Sequence, residues 1–313
     1  MYRKQQLLLK FMAYLSAPKV NKKDLDNYLL KYFKLGKVLS YQPLEKGLAN
    51  CLYRIKTTKG YFTFKISIRH NSKKLDFEIN LLNYLKNLPI PKIIKTRGEE
   101  STFNYKGHRS FIYTFITGNE KKVFTKKMLF EVGEFLGKLH LQTTNFKSLV
   151  KRTKFYTEFY ENIEKIVKEN KAHKNPKIRK ALEYIRAKYM SYKMPLGLPT
   201  GAIHIDLKPE NVLFEKGHLS GVVDFDNSYV GILAYDLADT IMWFACNGGK
   251  IDLRKAKEVF KGYNSIRKLT SLERQKMSII FCNVLMGITL CCIDYSSKKK
   301  IPEKFAVSII DNF

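Results

Sequence analysis

The sequence predicts an α+β fold in two lobes, a small antiparallel-sheet lobe followed by a larger, mostly helical one. Three observations predict it. Short β-rich runs with turn signals fill residues 40–116, helical periodicity takes over after Gly118, and one short connection joins the two patterns. The change of pattern sets a first lobe at residues 1–117, with 1–28 as a helical extension, and a second at 118–313. A 313-residue chain can bury a core in each lobe, and a 45% hydrophobic share without low-complexity tracts describes a folded protein.

The first twenty residues pair basic side chains with Leu7-Leu8-Leu9, but Lys10 interrupts the apolar run and no cleavage site follows. This reads as an amphipathic helix, not a signal peptide. Tyr53–Thr57 and Tyr61–Ile66 alternate apolar and polar residues around Thr58-Lys59-Gly60, the pattern of a β-hairpin. Leu75, Ile79, Leu82 and Leu85 share one helical face, so a helix is expected over Leu75–Leu88, closed by Pro89 and Pro91. Strands around Phe103–Tyr105 and Ser110–Phe115, separated by Lys106-Gly107, complete the sheet.

In the second lobe, Lys126–Leu141 reads as a helix, and Phe155–Tyr192 as a charged helical region broken near Asn175-Pro176. A compact β section spans Gly201–Tyr229, and helices resume from Tyr235. Met277–Ile293 is uncharged but falls short of the ~18–20 apolar residues a spanning helix needs, so it is expected as a buried core helix.

The five cysteines are odd in number and form no C-x-x-C, which argues against a zinc knuckle or disulfide framework and fits a reducing, cytoplasmic setting. The formal charge of +29 raises nucleic acid or an anionic membrane as partners. The lysines, however, are spread from Lys4 to Lys304, which favours a solvated surface over a binding patch.

The chemistry concentrates in Ile203–Phe214, which has the form His-x-Asp-x-x-x-x-Asn within apolar flanks. Phosphoryl transfer to an alcohol needs a carboxylate to orient the hydroxyl and take its proton, which Asp206 can supply. It also needs oxygen ligands for Mg2+, and Asn211 can offer its side-chain carbonyl. Asp224 ends the apolar strand Val222-Val223, where a principal Mg2+ ligand would sit. Singly, such residues are turn formers or helix caps; together, in this order and separation, they make a kinase signature with ATP as the phosphoryl donor. His204 is read as orienting the loop, Asp236 as structural support beneath it, and Asp226 as a second acid near the metal or in solvent.

The sheet lobe is then expected to clamp the nucleotide. Lys65 lies on the second hairpin strand, and Glu78, thirteen residues on, lies on the next helix and can pair with it, with Asp76 as the alternative partner. Gly47, in the turn between Leu44 and Asn50, can bring backbone N–H groups to a phosphate. No G-x-x-x-x-G-K-[ST] occurs, which excludes a P-loop enzyme.

At His204–Asn211, Asp224-Phe225 and Tyr235-Asp236-Leu237-Ala238 the chain resembles the aminoglycoside phosphotransferase and choline kinase superfamily, whose fold is protein-kinase-like. Within it, Leu198–His204, Leu219–Phe225, Leu233–Ala238 followed by Trp243, and Val259–Glu273 look most like the bacterial homoserine kinase branch. The resemblance implies ATP- and Mg2+-dependent phosphorylation of a small hydroxylated metabolite, with L-homoserine foremost and choline, ethanolamine or an aminoglycoside as alternatives. It makes Asp206 the base, Asn211 and Asp224 the metal ligands and Lys65 the phosphate ligand, and places the backbone of Phe115 and Ile116 against the adenine. Two residues depart from the superfamily pattern: Ile205 stands where Gly usually follows the motif His, and Asp226 stands where an aromatic is more usual among homoserine kinases.

A protein kinase would need a G-x-G-x-x-G loop and a long activation segment; both are missing, since Asp224 runs within twelve residues into the Tyr235 helix. A basic RNA-binding protein that kept the fold is the other alternative, and the intact Asp206, Asn211 and Asp224 set argues against it. The expected partner is therefore a small hydroxyl substrate, an amino acid or amino alcohol, with no specific nucleic acid and no membrane, acting on a monomer or homodimer.

Overall fold

The computed structural model describes residues 18–44, 50–68, 72–148, 150, 160–192, 194–247 and 250–311. The chain divides into two compact units, Met1–Thr117 and Gly118–Phe313. In the first, α1 (Lys22–Tyr32) opens on Asn21, whose side chain accepts from the Asp24 amide, so the helix runs four residues past the expected extension. Residues 1–17 of that extension lie outside the described residues.

An antiparallel sheet follows, built from β1 (Val38–Pro43), β2 (Asn50–Thr57), β3 (Gly60–Ser67), β4 (Ile93–Ile94), β5 (Phe103–Tyr105) and β6 (His108–Thr114) in the order β1-β2-β3-β6-β4, with β5 also on β6. The expected β2–β3 hairpin forms, with Thr57 opposite Gly60 and Tyr53 opposite Phe64. Its tip uses Gly60 at φ +128°, a conformation that favours glycine.

Helix α2 spans Ser72–Tyr84, so it starts earlier and ends four residues sooner than the expected Leu75–Leu88. Asn87 adopts φ +54° and turns the chain before either proline can act as the stop. The strict alternation expected of β3 also gives way. From Thr63 to Ser67 every residue is buried, because the strand is central and covered on both faces. Phe64 and Ile66 pack with Leu25, Leu29 and Phe33 on one face, while Lys65 and its cross-strand neighbour Phe111 lie on the other, where Phe111 meets Leu75 and Ile79 of α2. Each buried aliphatic or aromatic side chain contributes about 1.5–3 kcal/mol.

The second unit contains α3 (Lys126–Thr143), α4 (Ile163–Glu169), α5 (Pro176–Lys188), α6 (Leu233–Ala245), α7 (Leu253–Ile266), α8 (Ser271–Ser297) and α9 (Glu303–Ile310). Of the charged region expected over Phe155–Tyr192, residues 155–159 lie outside the described residues; the remainder contains α4 and α5, and Asn175 caps α5 with Pro176 at its first turn. Two short antiparallel ribbons, β7 (Thr200–Ile203) with β10 (Tyr229–Ile232) and β8 (Val212–Glu215) with β9 (His218–Val222), frame the loops between them.

The uncharged Met277–Ile293 stretch lies inside α8, whose Thr270/Glu273 capping box fixes its start. By length and composition this helix meets the requirement for crossing a membrane, yet 67% of its most apolar window is buried inside the protein. That burial accounts for a helix apolar on all sides.

Helices α3 and α7 approach unusually closely. A Cβ on Gly133 would lie 2.0 Å from the Val259 carbonyl oxygen, and one on Gly262 would lie 1.9 Å from that of Phe130. Backbone blocks both positions, so a methyl group forces the helices apart. Gly262→Ala should therefore destabilise the protein by at least about 1–3 kcal/mol, despite the ~1 kcal/mol that alanine gains in helix propensity. Urea unfolding measures this, and a rise in stability would show that the two helices do not touch as described.

Candidate active site

In the second unit, strand β7 delivers His204, Ile205 and Asp206 from a buried ribbon into a loop. Ile205 sits at φ +57° with its side chain fully buried. A β-branched residue in the left-handed region is strained by about 1–3 kcal/mol and persists only when its surroundings dictate the conformation. Asp236, in the first turn of α6, does so. Its Oδ2 accepts from the His204 amide at 2.8 Å and its Oδ1 from the Ile205 amide at 2.8 Å. Thus the position where the resemblance leads one to expect glycine has a left-handed backbone with an isoleucine side chain.

Asp236 is completely buried and also meets His140 Nε2 of α3 at 3.0 Å. Burial works against its ionisation, but the hydrogen bonds from His140 and the His204 amide outweigh this and hold the carboxyl below its ordinary value. Burial likewise holds the His140 and His204 imidazoles below theirs, more strongly than Asp236 raises them. Both rings are therefore neutral around an ionised Asp236.

His204 orients the loop, as the sequence indicates. Its Nε2 lies 3.2 Å from the Val223 carbonyl oxygen and must donate, while Nδ1 accepts from the Asp206 amide at 3.3 Å. The ring packs against Phe225 at 4.6 Å between centroids.

The Asp206 carboxylate pairs with Lys208 Nζ at 2.7 Å through Oδ1 and with Asn211 Nδ2 at 3.3 Å through Oδ2. Asn211 Nδ2 also donates to the Asp206 carbonyl oxygen at 2.8 Å. The amide nitrogen thus faces Asp206, and the side-chain oxygen Oδ1, distinct from the backbone carbonyl, is the atom that could ligate a metal. The Val223 amide donates to the Asn211 carbonyl oxygen at 2.9 Å, which ties this turn to Asp224, itself left-handed at φ +69°.

Asp226 lies in the turn after Asp224, but it is Asn227 whose Nδ2 reaches Asp206 Oδ2, at 3.5 Å, the outer limit of a hydrogen bond. Among the described residues no group of three or more His, Cys, Asp or Glu could hold a metal. An Asn oxygen and an Asp carboxylate nonetheless fit a magnesium-type site, which takes one or two protein ligands and completes its shell with phosphate oxygens and water.

In the first unit, Lys65 Nζ lies 2.8 Å from Glu78 Oε1 and 2.9 Å from Oε2, with both residues 4% exposed. Asp76, the alternative partner, pairs instead with Arg109. Phe115 and Ile116 follow β6; the Phe115 amide donates to the Tyr61 carbonyl oxygen at 3.4 Å, and the Arg54 guanidinium covers its ring at 4.7 Å. Gly47 lies outside the described residues.

Sequence reasoning missed Lys208 and His140. Lys208 is positioned by Asp206 and lies 5.8 Å from the centre of the Trp243 ring. Burial favours losing its proton, but Asp206, with help from Asp224 and Glu210, raises its pKa well above the ordinary lysine value. Its signal was its place two residues after Asp206, obscured in a chain with 57 Lys and Arg.

The sequence model of the phosphotransferase enzyme family matches residues 40–269. A homoserine kinase of Zymomonas mobilis is 29% identical over 269 residues, covering 83% of this chain and 82% of that protein. One of Bartonella henselae is 29% identical over 260 residues, covering 81% and 80%. Among solved structures, an amicoumacin kinase in complex with AMP-PNP, Ca2+ and Ami superposes with a TM-score of 0.67 at 16% identity, covering 94% of each chain. A spectinomycin phosphotransferase with ADP and its antibiotic gives 0.63 at 14% identity, also covering 94% of each. These two likenesses establish a shared protein-kinase-like fold.

The neutral, buried histidines make stability depend on pH. In the unfolded chain each imidazole binds a proton below about pH 6.5, whereas the folded protein resists it. The unfolded state then carries more protons, so the stabilisation is complete above pH 6.5 and is lost as pH falls below it, by up to about 1.4 kcal/mol per pH unit for each ring. Urea midpoints measured from pH 7.5 to 5 should drop accordingly; a flat profile would mean that the rings are charged in the folded state.

Proposed function

As a member of the phosphotransferase enzyme family, the chain is an ATP-dependent small-molecule phosphotransferase, and we propose that the acceptor it phosphorylates is the hydroxyl of L-homoserine. The observation that carries the catalytic assignment is the linkage of Asp206, Asn211 and the Asp224 segment by the Asn211 side-chain and backbone hydrogen bonds. Asp206 orients the acceptor hydroxyl and takes its proton as the oxygen bonds to the γ-phosphorus and the bond to the ADP oxygen breaks. Lys208 balances the charge of Asp206 and of the incoming phosphoryl group. Asn211 and Asp224 are the residues that would hold Mg2+, which when bound neutralises the β- and γ-phosphate oxygens.

Lys65, held by Glu78, is the ligand of the nucleotide phosphates, with the Gly47 turn as a further backbone donor and the Phe115–Ile116 backbone meeting the adenine. Homoserine as acceptor rests on similarity to homoserine kinases across about four-fifths of both chains. In the second unit, a small apolar hollow is lined by Met242, Trp243, Cys246, Leu285, Ile288 and Ile309, and the same indole lies beneath Lys208. The free thiols Cys51, Cys246, Cys282, Cys291 and Cys292 accord with work in a reducing, cytoplasmic setting.

The decisive measurement is ADP release from purified protein offered homoserine, choline, ethanolamine and aminoglycosides. Homoserine should give the highest kcat/KM; preference for another acceptor would move the assignment to that compound. Asp206→Asn should lower kcat by about 10³-fold or more while ATP binding is little changed, as loss of a group acting in the transition state requires. Turnover at the wild-type rate would remove Asp206 from the chemistry.

A further inference from the structure

Behind Asp236 runs a buried chain of polar groups that the proposed chemistry does not use. His140 Nδ1 lies 2.8 Å from the Tyr263 hydroxyl of α7, which in turn lies 2.8 Å from Arg267 Nη1. Arg267 Nη2 contacts Glu273 at 3.1 Å to Oε2 and 3.0 Å to Oε1, and Oε2 also accepts from the Thr270 amide at 2.8 Å. His140, Asp236, Tyr263 and Glu273 are fully buried, and Arg267 is 8% exposed.

The proton positions follow from the chemistry of the groups. Arg267 can only donate, so the Tyr263 oxygen accepts from it. The ionised Asp236 can only accept, so His140 carries its proton on Nε2 and its Nδ1 is an acceptor. The Tyr263 hydroxyl hydrogen must then point at Nδ1. All donors thus run one way, from Arg267 through Tyr263 and His140 to Asp236, and from Asp236 to the amides that hold Ile205 in its strained conformation beside Asp206.

Stability alone does not account for this chain. A buried arginine–carboxylate pair costs desolvation, and well-packed apolar residues of similar volume are often as stable or more so. What the polar chain adds is direction: it anchors the His140 ring at Nδ1, so that Nε2–H is held against Asp236 in one orientation.

We propose that Tyr263 and Arg267 are positioning residues for phosphotransfer, which hold the His140 ring against Asp236 and, through Asp236, the backbone that carries Asp206. This rests on the reading of Asp206 as the base, but it does not depend on which acceptor is used. The two failures are separable: an active Asp206→Asn enzyme would defeat that reading, whereas an active Tyr263→Phe beside a dead Asp206→Asn would defeat this proposal.

Tyr263→Phe removes the hydroxyl and keeps the ring. It should lower kcat about tenfold, with KM for ATP and acceptor within twofold of wild type. Side-chain NMR of His140 provides a readout independent of turnover: an Nε2–H proton shifted downfield by its bond to Asp236 in the wild type, and a smaller shift in Tyr263→Phe. Should Tyr263→Phe not fold, Arg267→Lys, which replaces the two-pronged fork with a single ammonium, takes its place in both measurements. A fall in kcat alone together with a reduced Nε2–H shift supports the proposal. Unchanged kcat, parallel changes in kcat and KM, or an unchanged Nε2–H shift overturns it.

Discussion

The Asp236 carboxylate is the contact on which the arrangement of the second unit turns. It is an ionised group without solvent, tolerated because two amide donors and one imidazole donor surround it. A buried carboxylate so satisfied is directional in a way that packing is not, because its hydrogen bonds dictate where the His204 and Ile205 amides point. The left-handed Ile205 is the consequence. With its side chain buried and its amide engaged, it has no inexpensive way to relax, and Asp206 emerges from the loop at a fixed angle.

The helices serve the same end. Glycines at 133 and 262 let α3 and α7 meet backbone to backbone, so that His140 of one and Tyr263 of the other come within hydrogen-bond distance. His140 of α3 and Tyr263 of α7, 123 positions apart in the sequence, thereby act together on the His204–Asp206 loop. Close helix packing is sub-ångström positioning carried out with small residues, and a site that must hold a proton acceptor to within ~0.5 Å benefits from such rigid supports.

Much of the fold was legible because its signals are local. The β2–β3 hairpin is written in alternation and a glycine turn, and the catalytic loop in the fixed spacing of His204, Asp206 and Asn211. The Lys65–Glu78 pair was legible through element order, and Asp236 through its place at a helix start. What escaped was non-local or masked by composition. His140 looks like any histidine on an amphipathic helix, and only the fold brings Asp236, ninety-six residues away, against it. The end of α2 escaped because a single Asn87 in the left-handed region acts before the prolines that drew attention. Ile205 was noticed as a departure in residue type, but nothing in a sequence states that its φ is positive.

Two lysine–carboxylate pairs remain to be understood together, Lys65–Glu78 and Lys208–Asp206. The first is buried and roughly cancels its own desolvation, whereas the second, with side chains 30% and 15% exposed, contributes about 0–1 kcal/mol. Each nevertheless fixes a long, flexible side chain in one rotamer before any ligand arrives. On the proposed function Lys208 meets the incoming phosphoryl group while Asp206 remains as the base, and an ammonium already oriented need not be reorganised when that group bears its greatest charge. Glu78 likewise keeps Lys65 oriented in the resting protein. An ion pair that adds little to folding is then a reasonable component of a site whose work is to stabilise charge in transit.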